Sequence, residues 1–240
     1  MKVYADHAAT TPMRPEAKKA MIEALEDFGN PSSIHALGRL ASAKMESARK
    51  EIAELLNCRP AEVYFTSGGS EADNWAIKGT ALKLAKKGKK HLITSAFEHH
   101  AVLHSMQALE REGFEVTYLP ITPEGLVRPE DVAAALRPDT ALVSVMLANN
   151  EIGTIQPIRE IAAVCRERGV WVHTDAVQAF LKLPFRADTL GADLISVSGH
   201  KLNAPKGVGA LYIGPRCRAV RPLLAGGGQE RGLRSGTEAT

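Results

Sequence analysis

Residues 63–71 read VYFTSGGSE, and this stretch decides the fold. Four residues rich in β-branched and aromatic side chains predict a strand, the two glycines predict a turn, and a helical pattern begins directly after them. A strand that runs through a glycine turn into a helix is typical of a sheet whose strands are mainly parallel. The stretch therefore predicts an α/β protein with helices on the faces of the sheet.

The same alternation continues along the chain. We predict seven strands, at residues 63–66, 92–95, 114–119, 142–147, 170–174, 194–197 and 208–213. Two helices precede the first strand: one is opened by Pro15 and closed by Gly29, and a longer amphipathic one runs through Ala41 and Leu55. The predicted architecture is a three-layer α/β/α fold around a mainly parallel seven-stranded sheet.

Length and composition restrict the class of protein. The 240 residues are 45% hydrophobic and 24% charged, which excludes a disordered tail, a fibre and a disulfide-stapled miniprotein. A formal charge of +3 favours a small-molecule partner, and we predict binding neither to nucleic acid nor to a membrane. Cys58, Cys165 and Cys217 are odd in number and far apart, so we expect no disulfide framework and no thiolate zinc site. Free cysteines fit a reducing compartment, and we expect a soluble, cytoplasmic protein.

The glycine turn is a candidate anion site. The free backbone N–H groups and the positive dipole end of the helix that follows Gly68 and Gly69 suit a phosphate. The alternative is an ordinary turn in which Ser70 caps the helix, and the pattern alone leaves both open. No GxGxxG or GK[ST] follows the strand, so a dinucleotide or nucleoside-triphosphate site is disfavoured.

Three histidines follow the second predicted strand. His100 and His104 are four residues apart, as in some metal sites, but no HExxH pattern and no nearby cysteine supports one, and we predict no metal. A histidine cluster on the helix surface is the alternative. A third possibility is that an imidazole such as that of His99 stacks on a planar ligand at the carboxyl end of the strand.

An acid and an amine follow two other predicted strands. Asp175 comes directly after residues 170–174, at the end of the strand where open α/β sheets bind ligands, and Gln178 lies one helical turn further on. Asp175 is either a helix cap or the counterion of a protonated ring nitrogen. Lys201 ends the sequence SGHK at residues 198–201. An amine, an acid, an anion site and a flat stacking group are together what pyridoxal phosphate requires.

The chain as a whole resembles the cysteine desulfurases of the NifS/IscS group, which are class V, fold-type I pyridoxal-phosphate enzymes. The resemblance covers all 240 residues and is carried, in order, by DHAATTP at 6–12, GNPSS at 29–33, TSGGSE at 66–71, EH at 98–99, NNEIG at 149–153, DAVQ at 175–178, SGHK at 198–201, GQERG at 228–232 and RSGT at 234–237. It implies pyridoxal phosphate as the cofactor and a homodimer. It also implies that residues 1–15 belong with a smaller domain and that residues 16–240 form the cofactor-binding large domain, incomplete at its C-terminus.

The resemblance implies a role for particular residues. Lys201 would be the catalytic lysine that bonds to the cofactor and later moves the Cα proton of the substrate. Asp175 would pair with the pyridinium nitrogen, and His99, the second catalytic residue, would stack on the ring. Gln178 would hydrogen-bond the ring oxygen, with Asn150 close to it. The phosphate would be held by the backbone of Gly69 and by the side chains of Ser70, Ser198 and His200. Thr237 would reach the phosphate bound by the other subunit.

Members of this group convert L-cysteine to L-alanine and pass the sulfur on as an enzyme persulfide, to an acceptor or iron–sulfur scaffold protein or to tRNA thiolation. The nucleophilic cysteine of the family follows the RSGT motif, so we expect this chain to lack it. Cys217 lies between two arginines, a setting that could lower its pKa, but no motif supports it as a substitute. Two alternatives stay open: another class V enzyme, such as a selenocysteine lyase or an aminotransferase, or a catalytically silent dimerisation module.

The loop after Lys201 departs from the family pattern. Ala204 occupies a position where the family has glycine. A Cβ there strains the loop if the backbone needs a positive φ, and the sequence leaves open whether it does.

Overall fold

The computed structural model describes residue 1 and residues 3–240 as one sheet between layers of helices. The helices are α1 Pro15–Ala24, α2 Ala36–Leu56, α3 Gly69–Leu84, α4 His100–Arg111, α5 Pro129–Ala135, α6 Ile158–Glu167 and α7 Ala187–Leu190. The strands are β1 Val63–Thr66, β2 His91–Ser95, β3 Glu115–Leu119, β4 Thr140–Ser144, β5 Trp171–Asp175, β6 Leu194–Ser198 and β7 Gly209–Ile213. Each helix in the described ranges is too short or too polar to cross a bilayer.

The seven strands lie in the order β1-β7-β6-β5-β4-β2-β3. Neighbouring strands from β3 to β6 are parallel, whereas β7 pairs antiparallel with both β6 and β1. Six strands therefore point the same way, and the predicted mainly parallel α/β/α fold is confirmed. The carboxyl ends of β4, β5 and β6 meet at one edge of the sheet, which is where ligands of such folds bind.

Each face of the sheet has its own apolar core. On one face α3 packs the buried indole of Trp75 beside Leu142 and Leu194 of the sheet. On the other face α6 packs Ile161 against Val172. Because side chains alternate along a strand, successive strand residues supply the two cores in turn. The position of α3 matters most for function, since its first turn reaches the edge of the sheet where β5 and β6 end.

Two predicted elements have different bounds in the structure. Helix α1 ends at Ala24 and not at Gly29. A Cβ at Gly29 would lie 2.4 Å from the carbonyl oxygen of Leu37, so this glycine permits a close backbone approach to α2 and is no helix stop. The predicted strand 142–147 is β4, which begins two residues earlier and ends at Ser144. The apolar sequence extends beyond the end of β4 to residue 147, because Val145 and Leu147 are also buried beside β5.

The glycine-rich segment after β7 is anchored to α2 and β1. Glu230 and Arg231 both have left-handed backbone angles, with φ of 47° and 58°. The buried carboxylate of Glu230 accepts bonds of 2.8 and 2.6 Å from the guanidinium of Arg49 and a bond of 2.9 Å from the N–H of Phe65. A stretch whose composition predicts a flexible or phosphate-approaching loop is therefore held by a buried ion pair to α2 and β1.

Candidate functional site

A two-lobed crevice lies where the carboxyl ends of β5 and β6 meet the first turn of α3. The larger lobe has a volume of about 630 Å³ and the smaller lobe about 280 Å³. The residues that border both lobes are Ala9, His99, Asp175, Val177 and Lys201. The amine, the acid and the imidazole singled out from the sequence thus lie together at the junction of the two lobes.

Lys201 ends the single helical turn that follows β6. Its ammonium group donates to the backbone carbonyl of Ala8 and, at 2.7 Å, to that of Ala9. Burial lowers the pKa of Lys201, while the nearby carboxylates of Asp175 and Asp6 act in the opposite direction. A lysine with a lowered pKa is a better nucleophile and base at neutral pH than an exposed one.

Asp175 is the last residue of β5 and is only 5% exposed. One carboxylate oxygen accepts the N–H of Val177 at 2.8 Å, so Asp175 does cap the turn that follows the strand. Burial raises the pKa of Asp175, and the N–H of Val177 and the positive fields of His99 and Lys201 oppose that rise. Asp175 can cap this turn and also serve as the counterion of a charged ligand, because its carboxylate borders the crevice as well.

His99 enters the crevice from the loop before α4. It is exposed, and its Nδ1 accepts the N–H of Ala101 at 3.1 Å, which makes it the N-cap of α4. The loop is fixed by the preceding Glu98, a buried carboxylate that accepts the N–H of Met146 at 2.9 Å and the hydroxyl of Ser95. Burial raises the pKa of Glu98 to about 8. Sequence reasoning quoted Glu98 only as part of a motif and missed this anchoring role.

The larger lobe contains the predicted anion cradle. Gly68 has φ of 151°, and a Cβ at Gly209 would lie 2.7 Å from the Cα of Gly68, so β7 touches the turn closely. Helix α3 begins at Gly69 with Gly68 as its N-cap, which means that Ser70 lies inside the first turn and does not cap it. The first N–H groups of α3 have no partner within the helix. Polar side chains around them that border the lobe include Ser67, Ser70, Ser198, His200, Lys206 and Glu71, whose carboxylate is paired with Arg234.

The smaller lobe contains the two predicted amides. Gln178 donates from its Nε2 to the carbonyl of Ala8 at 2.8 Å and accepts the ammonium of Lys182 at 2.9 Å. Asn150 donates from its Nδ2 to the carboxylate of Glu151 at 2.6 Å. Both amides border the same lobe as Asp175, so either can contact a ligand that faces the acid.

The N-terminal segment forms part of the site, and no local pattern predicted its contacts. Thr11 donates from its N–H and its hydroxyl to the carbonyl of His200, at 3.0 and 2.7 Å, and accepts the N–H of Asn203 at 2.7 Å. The hydroxyl of Thr10 lies 3.1 Å from the Nδ1 of His200. Residues 8–14 are therefore joined directly to the loop of Lys201, about 190 positions later in the chain.

Thr237 does not border the crevice. It borders a separate cavity of about 440 Å³ between α2 and the C-terminal segment, beside Phe65 and Arg234. Its assigned role concerns the phosphate of another subunit, so its position in a single chain leaves that role a prediction.

The structure answers two questions that the sequence left open. Cys217 is fully buried, and burial raises the pKa of its thiol although Arg216 is near, so it is no activated nucleophile. The non-glycine residue with a left-handed backbone in the lysine loop is Asn203, with φ of 61°, and not Ala204. Asparagine tolerates this conformation, so the condition for strain at Ala204 is not met in the loop as described.

The side chains that could hold a metal differ from those the sequence suggested. His100 and His104 are exposed and stack on each other with ring centroids 5.1 Å apart. A ligand atom of Asp73, one of His99 and one of Asp175 lie within 4.8 Å of one another. Spacing alone would allow a cation between these three, but the ammonium of Lys201 already supplies positive charge beside Asp175. The prediction of no metal stays a prediction.

Comparisons with known proteins agree with this geometry. The sequence pattern described as aminotransferase class-V matches residues 3–238. Cysteine desulfurase IscS of Methanosarcina thermophila is 52% identical over 237 residues, which are 98% of this chain and 58% of that protein. Cysteine desulfurase IscS of Dictyoglomus turgidum is 52% identical over 238 residues, which are 99% and 60% of the two chains. A solved structure of SspA in complex with cysteine matches with a TM-score of 0.95 at 44% identity, covering 99% of this chain and 69% of that one.

The fold and the crevice define a class of protein in which a lysine and an acid meet at the edge of a mainly parallel sheet, and the chain belongs to the aminotransferase class-V family. Within that family it is similar to cysteine desulfurases, so the resemblance found in the sequence motifs is confirmed. The chain spans about 60% of the length of the curated relatives it matches.

Proposed function

We propose that the chain is the cofactor-binding part of a pyridoxal-phosphate-dependent cysteine desulfurase, which converts L-cysteine to L-alanine and passes the sulfur on as an enzyme persulfide. The observation that carries the proposal is that Lys201, Asp175 and His99 border both lobes of one crevice. The names of the relatives support the choice of cysteine as substrate.

The residues present fit pyridoxal phosphate. An amine, a buried acid and an imidazole meet at the junction of the two lobes, and the larger lobe has a size usual for small-molecule sites. At the N-terminus of α3, the turn at Gly68 and the close approach of Gly209 leave backbone N–H groups clear of Cβ atoms, as an anion requires. We assign the phosphate to the Gly69 backbone, Ser70, Ser198 and His200.

When bound, pyridoxal phosphate would supply an aldehyde for amines and a ring that withdraws electrons from the substrate Cα. Asp175 would hold a positive charge at the ring nitrogen, which strengthens that withdrawal. Gln178 and Asn150, in the smaller lobe, would bind the ring oxygen and orient the substrate beside it. His99 would cover one face of the ring.

Lys201 would move the proton of the substrate Cα. Its pKa is lowered by burial, so its neutral form, which accepts protons, is more accessible at neutral pH than in an exposed lysine. The overall reaction needs no external oxidant. The Cβ–S bond of cysteine breaks, a sulfur–sulfur bond forms with a thiol, and a proton adds to Cβ to give alanine.

The thiol that accepts the sulfur is not among the three cysteines of this chain. Burial raises the pKa of Cys58 and Cys165 to about 12, and none of the three borders either lobe in the described structure. We therefore assign sulfur acceptance to a cysteine outside this chain, with an acceptor or iron–sulfur scaffold protein, or tRNA thiolation, downstream.

A homodimer is part of the proposal, with Thr237 serving the phosphate of the second subunit and residues 1–15 belonging with a smaller domain. What supports the dimer is a row of exposed apolar side chains on and after α1, among them Ile22, Leu25 and Phe28. We place the protein in the cytoplasm, and the free state of its three cysteines supports a reducing compartment.

Borohydride trapping tests the proposal. With pyridoxal phosphate and then borohydride, the chain should carry one stable adduct on Lys201, found by peptide mass spectrometry, and the Lys201→Ala variant should carry none while keeping its circular dichroism spectrum. The matched control is Lys182→Ala, which removes the neighbouring amine and should keep the adduct. An unchanged adduct in Lys201→Ala would refute the assignment.

A further inference from the structure

A row of buried polar side chains lies beneath the crevice, on the face of the sheet that α3 covers. The row consists of Ser144 on β4, His173 on β5 and Ser196 on β6, and all three are fully buried. The ring of His173 joins them, with its Nδ1 2.8 Å from the hydroxyl of Ser144 and its Nε2 2.9 Å from that of Ser196. Burial lowers the pKa of His173 to about 3, so the ring is neutral.

Asp73 on α3 lies over this row. It is 1% exposed. The Oδ1 of Asp73 is 3.5 Å from the Nε2 of His173 and has no hydrogen-bond partner among the described residues. An ionised oxygen in that position would be a buried charge without a donor, which is far more costly than a neutral one.

Asp73 also faces Asp175. Oxygens of the two carboxyl groups lie within 4.8 Å of each other, and two ionised carboxylates that close in a buried site repel strongly. The two acids have different surroundings. Asp175 has the N–H of Val177 and the positive fields of His99 and Lys201, whereas Asp73 lies beside the neutral ring of His173 and has His99 within 4.8 Å.

We propose that Asp73 keeps a proton in the folded protein and acts as a positioning residue for Asp175, which is thereby the one ionised carboxylate of the pair. One part of this inference rests on the proposed function, namely that Asp175 faces a cationic ring nitrogen. Such a nitrogen requires a single negative charge. Asp175 would supply it at the end of β5, and Asp73 beside it would stay neutral. Sequence reasoning missed Asp73 because it lies in an otherwise apolar helix face.

The charge state of Asp73 determines how stability depends on pH. Burial raises the pKa of Asp73 well above its usual range, the negative charge of Asp175 acts in the same direction, and Ser196 opposes the rise. The unfolded chain loses this proton near pH 4, whereas the folded chain keeps it. The stability that the neutral acid contributes is therefore complete below about pH 4 and is lost as pH rises towards the folded pKa. The titratable groups that face Asp73 are Asp175 and His173 from β5 and Glu98 and His99 from the loop before α4.

Urea unfolding between pH 5 and pH 9, with no cofactor added, tests the charge state. The matched pair is Asp73→Asn, which keeps shape but cannot ionise, and Glu51→Gln on the exposed face of α2. The unfolding equilibrium constant of the wild type should rise relative to that of Asp73→Asn by up to about tenfold per pH unit, and Glu51→Gln should follow the wild type. Parallel curves for the wild type and Asp73→Asn would overturn the proposal.

Infrared spectroscopy covers the case in which Asp73→Asn does not fold. With ¹³C-labelled aspartate, the folded wild type at pH 8 should show the C=O band of a protonated carboxyl group, and the Asp175→Asn variant should keep that band. Loss of the band in Asp175→Asn would place the proton on Asp175 and overturn the proposal. Neither measurement uses the cofactor, so failed trapping on Lys201 would refute the proposed function and leave this inference standing.

Discussion

The ammonium group of Lys201 lies 2.7 Å from the backbone carbonyl oxygen of Ala9, a residue 192 positions earlier in the chain. The lysine is thus held by the N-terminal segment, which in turn is hydrogen-bonded to the lysine's own loop through Thr11. Segment and loop form one unit around the amine. Changes in residues 8–14 should therefore alter the binding properties of the crevice, although none of these residues lies on the sheet.

Thr11→Val tests this unit. The variant loses the hydroxyl that joins the carbonyl of His200 to the N–H of Asn203, so we expect a loss of about 1–3 kcal/mol in the free energy of unfolding and weaker retention of pyridoxal phosphate. Urea denaturation and equilibrium dialysis measure the two effects. Thr189→Val, at an exposed hydroxyl with one long bond of 3.3 Å, is the control and should change neither. Unaltered cofactor retention in Thr11→Val would show that the segment does not shape the site.

Sequence patterns predicted the parts of the site that depend on local structure. Asp175 and Lys201 follow buried apolar strands, and the turn at Gly68 follows another, so their shared edge of the sheet could be predicted from strand ends alone. Contacts between distant segments left no such signal. The carbonyls of Ala8 and Ala9 reach Lys201 through backbone atoms, which carry no residue-specific pattern.

Three residues, Gly29, Ala204 and Cys217, have effects that local sequence does not determine. Gly29 and Ala204 were interpreted from residue type, but the consequence of each depends on what its backbone meets or adopts in three dimensions. Cys217 was judged by its charged neighbours in sequence, whereas burial determines the pKa of its thiol.

Asp175→Asn should weaken the binding of pyridoxal phosphate by about 30-fold or more, since one partner of a buried charge pair is lost. The free protein should not lose stability at pH 8. Burial raises the pKa of Asp175, so the wild type loses stability as pH rises through that pKa, and the neutral amide avoids this loss. Absorbance titration and urea denaturation separate the two effects. Asp188→Asn, exposed on α7, is the control, and equal affinity of both variants would contradict the role of Asp175.

Arg49→Met should destabilise the protein by about 3–5 kcal/mol, because it leaves the carboxylate of Glu230 buried without its cation. The double variant Arg49→Met/Glu230→Gln should recover part of that loss, since the uncompensated charge is gone. Urea denaturation of the three proteins gives the coupling between the two sites. If the losses in the free energy of unfolding caused by the changes at Arg49 and Glu230 simply add, the pair does not anchor the C-terminal segment. Arg137→Gln, at an exposed ion pair with Glu115, should cost less than Arg49→Met.

Glu98→Gln should remove a pH dependence of stability that extends from about pH 4 to about pH 8. Burial raises the pKa of Glu98 to about 8, so the unfolded chain releases this proton near pH 4 and the folded chain near pH 8. The stability contributed by the neutral form is therefore complete below about pH 4, declines as pH rises from there to about pH 8, and changes little above it. The melting temperature of the wild type should fall more steeply than that of Glu98→Gln between pH 6 and pH 9.

The amide of Glu98→Gln can still accept the N–H of Met146 through its oxygen, so the loop that positions His99 should keep its shape. Glu112→Gln, an exposed residue at the C-terminal end of α4, is the control and should melt like the wild type at every pH. If all three proteins show the same slope of melting temperature against pH, Glu98 is ionised throughout this range. The anchoring of His99 would then depend on a charged carboxylate.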